Sequence, residues 1–209
     1  MGTLYILVAD LDIENVVRSL LDRLARKGSI SLPDYEIEKH PNSDPGCFAE
    51  GASFLMEASV RGRFQHLLIM FDREGCGKET WTAEGIAEDL KKRLLQSGWE
   101  ENRVACIVLD PEVENWIWTE STHTAQAMGW GNDLTGLKKW LREEKKFRFQ
   151  ENGKPERPKE AALAATKEKR VRFNRLHQEI AQNASLERCT DPSFLHFKET
   201  LLRWFPPAD

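Results

Sequence analysis

Carboxylates recur directly after short apolar runs, and this recurrence is the main chemical signal in the chain. Leu4 to Ala9 leads into Asp10, Asp12 and Glu14, and His66 to Phe71 leads into Asp72-Arg73-Glu74-Gly75-Cys76-Gly77. Val104 to Leu109 leads into Asp110-Pro111-Glu112-Val113-Glu114. A weaker run, Tyr35 to Lys39, leads into His40-Pro41-Asn42-Ser43-Asp44-Pro45-Gly46. Hard divalent cations take several carboxylate oxygens. Carboxylates crowded without a cation repel one another and raise their pKa values. Asp72 and Glu74 form the sharpest pair, because residues two apart in an extended segment point the same way. The expected metal ligands are Asp10, Asp72, Glu74 and Glu114, holding Mg2+ or Mn2+. Glu112 and Glu114 would complete the ligand set or act as general base, and Asp10 would bind the ion or position water.

Plainer roles compete with these. An Asp after a strand also caps a helix or turns the chain, and Asp12 and Asn15 read as capping or first-turn residues. His40 fits a base, a ligand or a hydrogen-bonded turn residue. His66 reads as structural, and His123, His177 and His196 have no partner in the sequence. Gly75-Cys76-Gly77-Lys78 lacks the spacing of a phosphate-binding P-loop, although its glycines would let backbone approach a phosphate. There is no Gly-x-Ser-x-Gly elbow. The four cysteines form no Cys-x-x-Cys pair, which argues against a zinc knuckle and for a reduced chain. Basic residues collect late: Lys154, Arg157 and Lys159 in a proline-containing linker, then Lys167, Lys169, Arg170, Arg172 and Arg175. Lys154 and Lys159 would bind phosphate oxygens if the linker folds over the acidic edge. The later run reads rather as a solvated helix face.

The elements that must position these groups follow from periodicity. The first, third and fourth apolar runs are nearly continuous, as strands buried on both faces of a parallel sheet are. Ile13, Val16, Val17, Leu20, Leu21 and Leu24 sit at helical spacing before Gly28. Phe48 to Val60 and Thr82 to Leu95 give two more helices. The alternation predicts an α/β fold, a mostly parallel four-stranded sheet flanked by helices, with ligands bound beyond the carboxyl ends of the strands. Helices are expected over Val113 to Met128, Leu134 to Lys146, Lys159 to Lys169, Phe173 to Asn183 and Ser193 to Phe205. Residues 1–130 then form the α/β domain, and 131–209 a helical extension packed on it as one unit.

Bulk composition agrees. The chain has 209 residues, 40% hydrophobic and 31% charged, the balance of a folded globular protein. A formal charge of −4 excludes a broadly basic nucleic-acid-coating surface, but not a metal-assisted phosphate site. No apolar run reaches a membrane span. The first residues read as a strand rather than a signal peptide, and residue six is Ile rather than the Ser or Thr of a myristoylation signal. A cytoplasmic location without membrane attachment is expected.

An acid after the first strand, with an Asp-x-acid motif after a later one, resembles the Toprim domains of topoisomerases, primases and overcoming-lysogenization-defect-type nucleases. That resemblance implies magnesium-dependent phosphodiester chemistry. Asp10 stands where that family usually carries Glu, and Glu74 where it usually carries Asp. Six segments spread over nearly the whole length also resemble a bacterial family of the methylation-associated anti-phage defence system. They are Leu7-Val8-Ala9-Asp10, His40-Pro41-x-x-Asp44-Pro45-Gly46-Cys47, Asp72-Arg73-Glu74-Gly75-x-Gly77, Asp110-Pro111-Glu112-x-Glu114-x-Trp116-x-Trp118, Lys154-Pro155-x-x-Pro158-Lys159 and Trp204-Phe205-Pro206. This implies a role in host defence beside other proteins of that system, with DNA or RNA as possible partners. Two functions follow: a Toprim-like, metal-dependent nuclease, or a non-enzymatic sensor or adaptor with a degenerate site.

Overall fold

The computed structural model describes residues 2–31, 33–56, 62–173, 176–183 and 189–207. Four strands, β1 (Gly2–Val8), β2 (Tyr35–Lys39), β3 (Phe64–Asp72) and β4 (Val104–Leu109), form one all-parallel sheet in the order β2-β1-β3-β4. The α/β expectation therefore holds. β1 and β3 take the two central places, and the wholly apolar β4 lies at an edge yet is buried along its length. β2 alternates apolar with charged residues and lies at an edge.

Helix α1 (Leu11–Arg26) buries Ile13, Val16, Val17, Leu20 and Leu21, the stripe its spacing predicts. α2 (Ser43–Phe54) starts earlier than the Phe48–Val60 expected, and Val60 lies outside the described residues. α3 (Ala83–Gln96) is capped by the Thr82 hydroxyl, which accepts from the Gly85 N–H. Right-handed crossovers put α1 on one face of the sheet, and α2 and α3 on the other.

Beyond β4 the long helix expected over Val113–Met128 is broken into α4 (Glu114–Ile117) and α5 (Thr122–Ala127). The break falls at Trp118, whose buried indole N–H donates to Pro158 O at 2.9 Å. α6 (Leu134–Glu143), α7 (Pro158–Glu168) and α8 (Leu176–Asn183) follow. Arg175 lies outside the described residues, as do the positions 174–175 of the helix expected from Phe173. α9 (Pro192–Trp204) returns to the sheet beside α1.

Two hydrophobic cores result. The larger, built on the sheet, takes in Phe194, Phe197, Leu201 and Phe205 from the C-terminal end. The smaller unites Ile117, Trp118, Met128, Leu137, Leu141 and Ala161 with their neighbours. Each fully buried Leu, Ile or Phe contributes roughly 1.5–3 kcal/mol through area removed from water. The last helix is thus fastened to the first core, across the boundary drawn at residue 130. Among the described residues no helix is long and apolar enough to cross a membrane.

Candidate metal centre

The parallel register brings the strand ends level, and pairing continues past them. Ala9 N donates to Met70 O at 3.2 Å, Arg73 N to Leu109 O at 2.8 Å and Glu74 N to Pro111 O at 3.0 Å. The loops carrying Asp10, Asp72 and Glu112 therefore leave the sheet side by side. Asp72, the last residue of β3, is 5% exposed. Its Oδ1 accepts from Val113 N at 2.9 Å, and its own N–H donates to Asp44 Oδ1 at 2.8 Å. Glu112 Oε1 accepts from Lys159 N at 2.8 Å.

Glu114 is the hub. It opens α4 and is 0% exposed. Its Oε1 lies 3.1 Å from His177 Nε2 and 3.5 Å from Lys159 Nζ, while Oε2 is buried without a hydrogen-bond partner among the described residues. Two trios share it. Ligand atoms of Asp72, Glu112 and Glu114 lie within 4.8 Å of one another, and so do those of Asp12, Glu114 and His177. The first set is all oxygen, which suits Mg2+ or Mn2+. The second adds an imidazole.

Electrostatics mark this as a crowded site. Burial pushes Asp72 well above the usual carboxylate range, reinforced by Asp44, Glu114, Asp10 and Glu112. Burial likewise lifts Glu112 to about 7, and raises Asp12 and Asp44. For Glu114, burial is outweighed by the His177 hydrogen bond and charge and by the Lys159 ammonium, so its pKa is lowered. Burial would lower Lys159, but Glu114, Asp72, Glu112 and Asp10 raise it. Among the described residues, one ammonium and one imidazole face Asp10, Asp12, Asp44, Asp72, Glu112 and Glu114. A divalent cation relieves such an excess, and the orphaned Glu114 Oε2 offers it a ready ligand. The residues present fit a hard divalent ion.

Of the residues singled out in the sequence, Asp72, Glu112, Glu114 and Lys159 meet. Asp10 lies on the same edge, close enough to act on Asp72 and Lys159, but outside both trios. Its Oδ1 accepts from Ile13 N at 2.9 Å, so Asp10 is the N-cap of α1. Asp12 lies in the first turn of α1, one of the two places read for it, and also puts Oδ1 3.5 Å from His177 Nδ1. Glu74 is exposed and in neither trio, although its charge reaches Glu112. The alternation that pairs it with Asp72 requires extended chain, and β3 ends at Asp72.

His40 is packed into the turn after β2. Its Nδ1 accepts from Asn42 N at 3.1 Å, its ring lies 5.1 Å from that of Phe54, and burial lowers its pKa. A Cβ on Gly46 would fall 2.1 Å from His40 Nδ1, so only glycine fits there. Lys154 is buried against Asp191, Nζ to Oδ2 3.2 Å, rather than among the acids. The amides of Gly75 and Gly77 both donate to Glu79 Oε1 at 3.0 Å, which occupies the donors a phosphate would use. Arg73 is held by Asp110 and Lys78 lies over Trp81, so neither neutralises the cluster.

Sequence reasoning missed His177, Asp12 and the direct part of Asp44. His177 comes from α8, and no local motif marks it. Burial raises the Cys47 thiol strongly and takes Cys106 to about 12, which removes both as nucleophiles. No protein-family model, curated protein or solved structure matches this chain.

Proposed function

We propose that this protein is a Toprim-like phosphodiesterase of a bacterial anti-phage defence system, acting on nucleic acid with Mg2+ or Mn2+. The carrying observation is the fully buried Glu114 carboxylate, whose Oε2 lacks a partner while Asp72 and Glu112 crowd beside it. Asp72, Glu112 and Glu114 would hold the ion, with Asp12 and His177 on the other side of Glu114. A bound divalent ion supplies charge neutralisation and polarisation of a phosphate oxygen. Lys159 orients Glu112 through its backbone N–H and supplies the cationic side chain that can turn to a phosphate oxygen. His177, gripped between two carboxylates, holds the Glu114 carboxylate in place. Asp10 stiffens the start of α1 and adds negative potential.

The rival is a non-enzymatic sensor or adaptor. One observation favours it: Lys159 and His177 already contact Glu114, so a cationic environment exists without metal. Two measurements separate the readings. Calorimetric titration with Mn2+ is expected to show a binding event that Glu114→Gln weakens about 100-fold, or about 2.7 kcal/mol. Metal-dependent cleavage of single- and double-stranded DNA and RNA is expected from wild type and not from Asp72→Asn, whose amide oxygen can still accept from Val113 N. Mn2+ binding without cleavage of any substrate leaves the adaptor, and cleavage that survives Asp72→Asn removes this site from the chemistry.

A further inference from the structure

The two edges of the sheet are finished differently. β2 ends one side with Glu36, Glu38 and Lys39 among its five residues, the charges that guard an edge against pairing. β4 ends the other with Val-Ala-Cys-Ile-Val-Leu and carries no charge. Arg73 N donates to Leu109 O, so Leu109 turns its backbone groups to β3. Alternation along a parallel strand turns Ile107 and Ala105 the same way, and turns the N–H and C=O of Val104, Cys106 and Val108 outward. Among the described residues nothing bonds to those six outward groups.

They face a groove. One cavity of about 450 Å3 and another of about 690 Å3 run along β4 and share Glu84, Ala87, Cys106 and His196. α3 forms one wall and α9 the other. No β4 residue is more than 4% exposed, so the edge lies recessed between the two helices. We propose that this groove takes an extended, lysine- or arginine-bearing segment of a partner protein, which adds to β4 as a fifth strand. Backbone pairing gives the affinity, and alternate side chains give the selectivity.

Two features argue for a basic occupant. Glu84 and Glu88 stand one turn apart on the exposed face of α3, and among the described residues neither has a cation within 4.0 Å; of the cations lining this stretch, Lys91 is paired with Glu101, and Arg203 leaves the two carboxylates in excess. At the far end, the Asn115 amide nitrogen donates to Asp110 O and Asp191 Oδ2, which fixes its orientation because both partners are acceptors. Asn115 Oδ1 is left buried and without a partner among the described residues, and Asn115 lines the groove. A side-chain ammonium or guanidinium satisfies it. Two copies cannot pair β4 to β4, because both edges are recessed and cannot approach to the ~4.8 Å strand spacing, and β2 of a second copy would bring Glu36 and Glu38 to the wall that carries Glu84 and Glu88.

The test uses the intact chain. Hydrogen exchange of the free protein is expected to show the Val104, Cys106 and Val108 amides exchanging at least tenfold faster than those of Ala105 and Ile107. Selection from a random decapeptide phage library is expected to enrich peptides with Lys or Arg at alternate positions. A synthetic peptide of the enriched sequence should protect those three amides. It should lose at least tenfold in affinity when N-methylated at alternate residues, and again against the double variant Glu84→Lys, Glu88→Lys. Ala87→Trp, which fills the groove from its wall, should abolish binding. Equal protection of all five amides in the free monomer, an edge protected only in a dimer, no enriched peptide, or binding indifferent to N-methylation and to both variants overturns the proposal.

Discussion

Lys154 and Lys159 leave the same turn-rich segment a few positions apart, and each meets carboxylate in a sheltered place, but their surroundings differ in stoichiometry. Lys154 meets one acid, Asp191, whose oxygens are further engaged by Asn115 Nδ2, by the Ser193 hydroxyl and by the amides that start α9. Ser193 in turn accepts from the Trp116 indole at 2.7 Å. Charge balances there, one ammonium to one carboxylate, as a structural pair requires, although Asn115 Oδ1 beside it finds no partner among the described residues. Lys159 meets Glu114, Asp72, Glu112 and Asp10. Its single positive charge leaves an excess, and an oxygen of Glu114 stays unpartnered. A balanced pair locks a fold, whereas an overloaded one is poised to take up another cation.

The contrast can be broken in several ways. The largest effect is expected at the balanced pair. Asp191→Ala strands the Lys154 ammonium and removes the α9 cap, so urea unfolding should show a loss of about 3–5 kcal/mol. Mn2+ affinity should stay within threefold of wild type, and a large change in it would join the two centres into one.

The next effect is pH dependence at the overloaded centre. Glu112 ionises near 4.5 when free and near 7 in the fold, so the native state holds its proton more tightly. The corresponding stability is fully present below pH 4.5 and is lost as pH rises through 7, by on the order of 3 kcal/mol. Metal-free unfolding free energy should therefore decline from pH 5 to pH 8. Saturating Mn2+ binds the ionised carboxylates and should flatten that decline. Equal slopes with and without the ion would count against a metal at this place.

Lys159→Met removes the competing ammonium. Mn2+ should then bind about tenfold tighter, about 1.4 kcal/mol, while any cleavage activity falls because the phosphate loses its cationic contact. Weaker Mn2+ binding would make Lys159 a support for the ligands instead of a rival to the ion. Smallest is Glu74→Gln at the exposed rim, which should shift stability by less than about 0.5 kcal/mol and metal affinity by less than twofold. A tenfold loss there would restore Glu74 to the ligand set.

The fold was legible because β1, β3 and β4 carry nearly continuous apolar runs, as strands covered on both faces do. The common edge for Asp72, Glu112 and Glu114 followed from parallel strands, since every strand then opens its loop on the same side. Other parts were hidden. Asp12 reads in sequence as a capping or first-turn residue and lies in the first turn, but its approach to His177 comes from another segment and has no local signal. His177 lies 63 residues from Glu114 on a helix with no motif, and becomes visible only when α8 packs on α1. The long helix expected after Glu112 is interrupted at Trp118, whose indole donates to Pro158 O, a contact that periodicity does not encode.

Sequence by itself determined the layered α/β plan and the edge where acids gather, because strand burial and carboxylate placement are written in adjacent residues. Only the tertiary structure decided which cation faces which acid. It assigned Lys154 to Asp191 and set Lys159 and His177 against Glu114, because ion pairing depends on distances of a few ångströms between segments far apart in the chain.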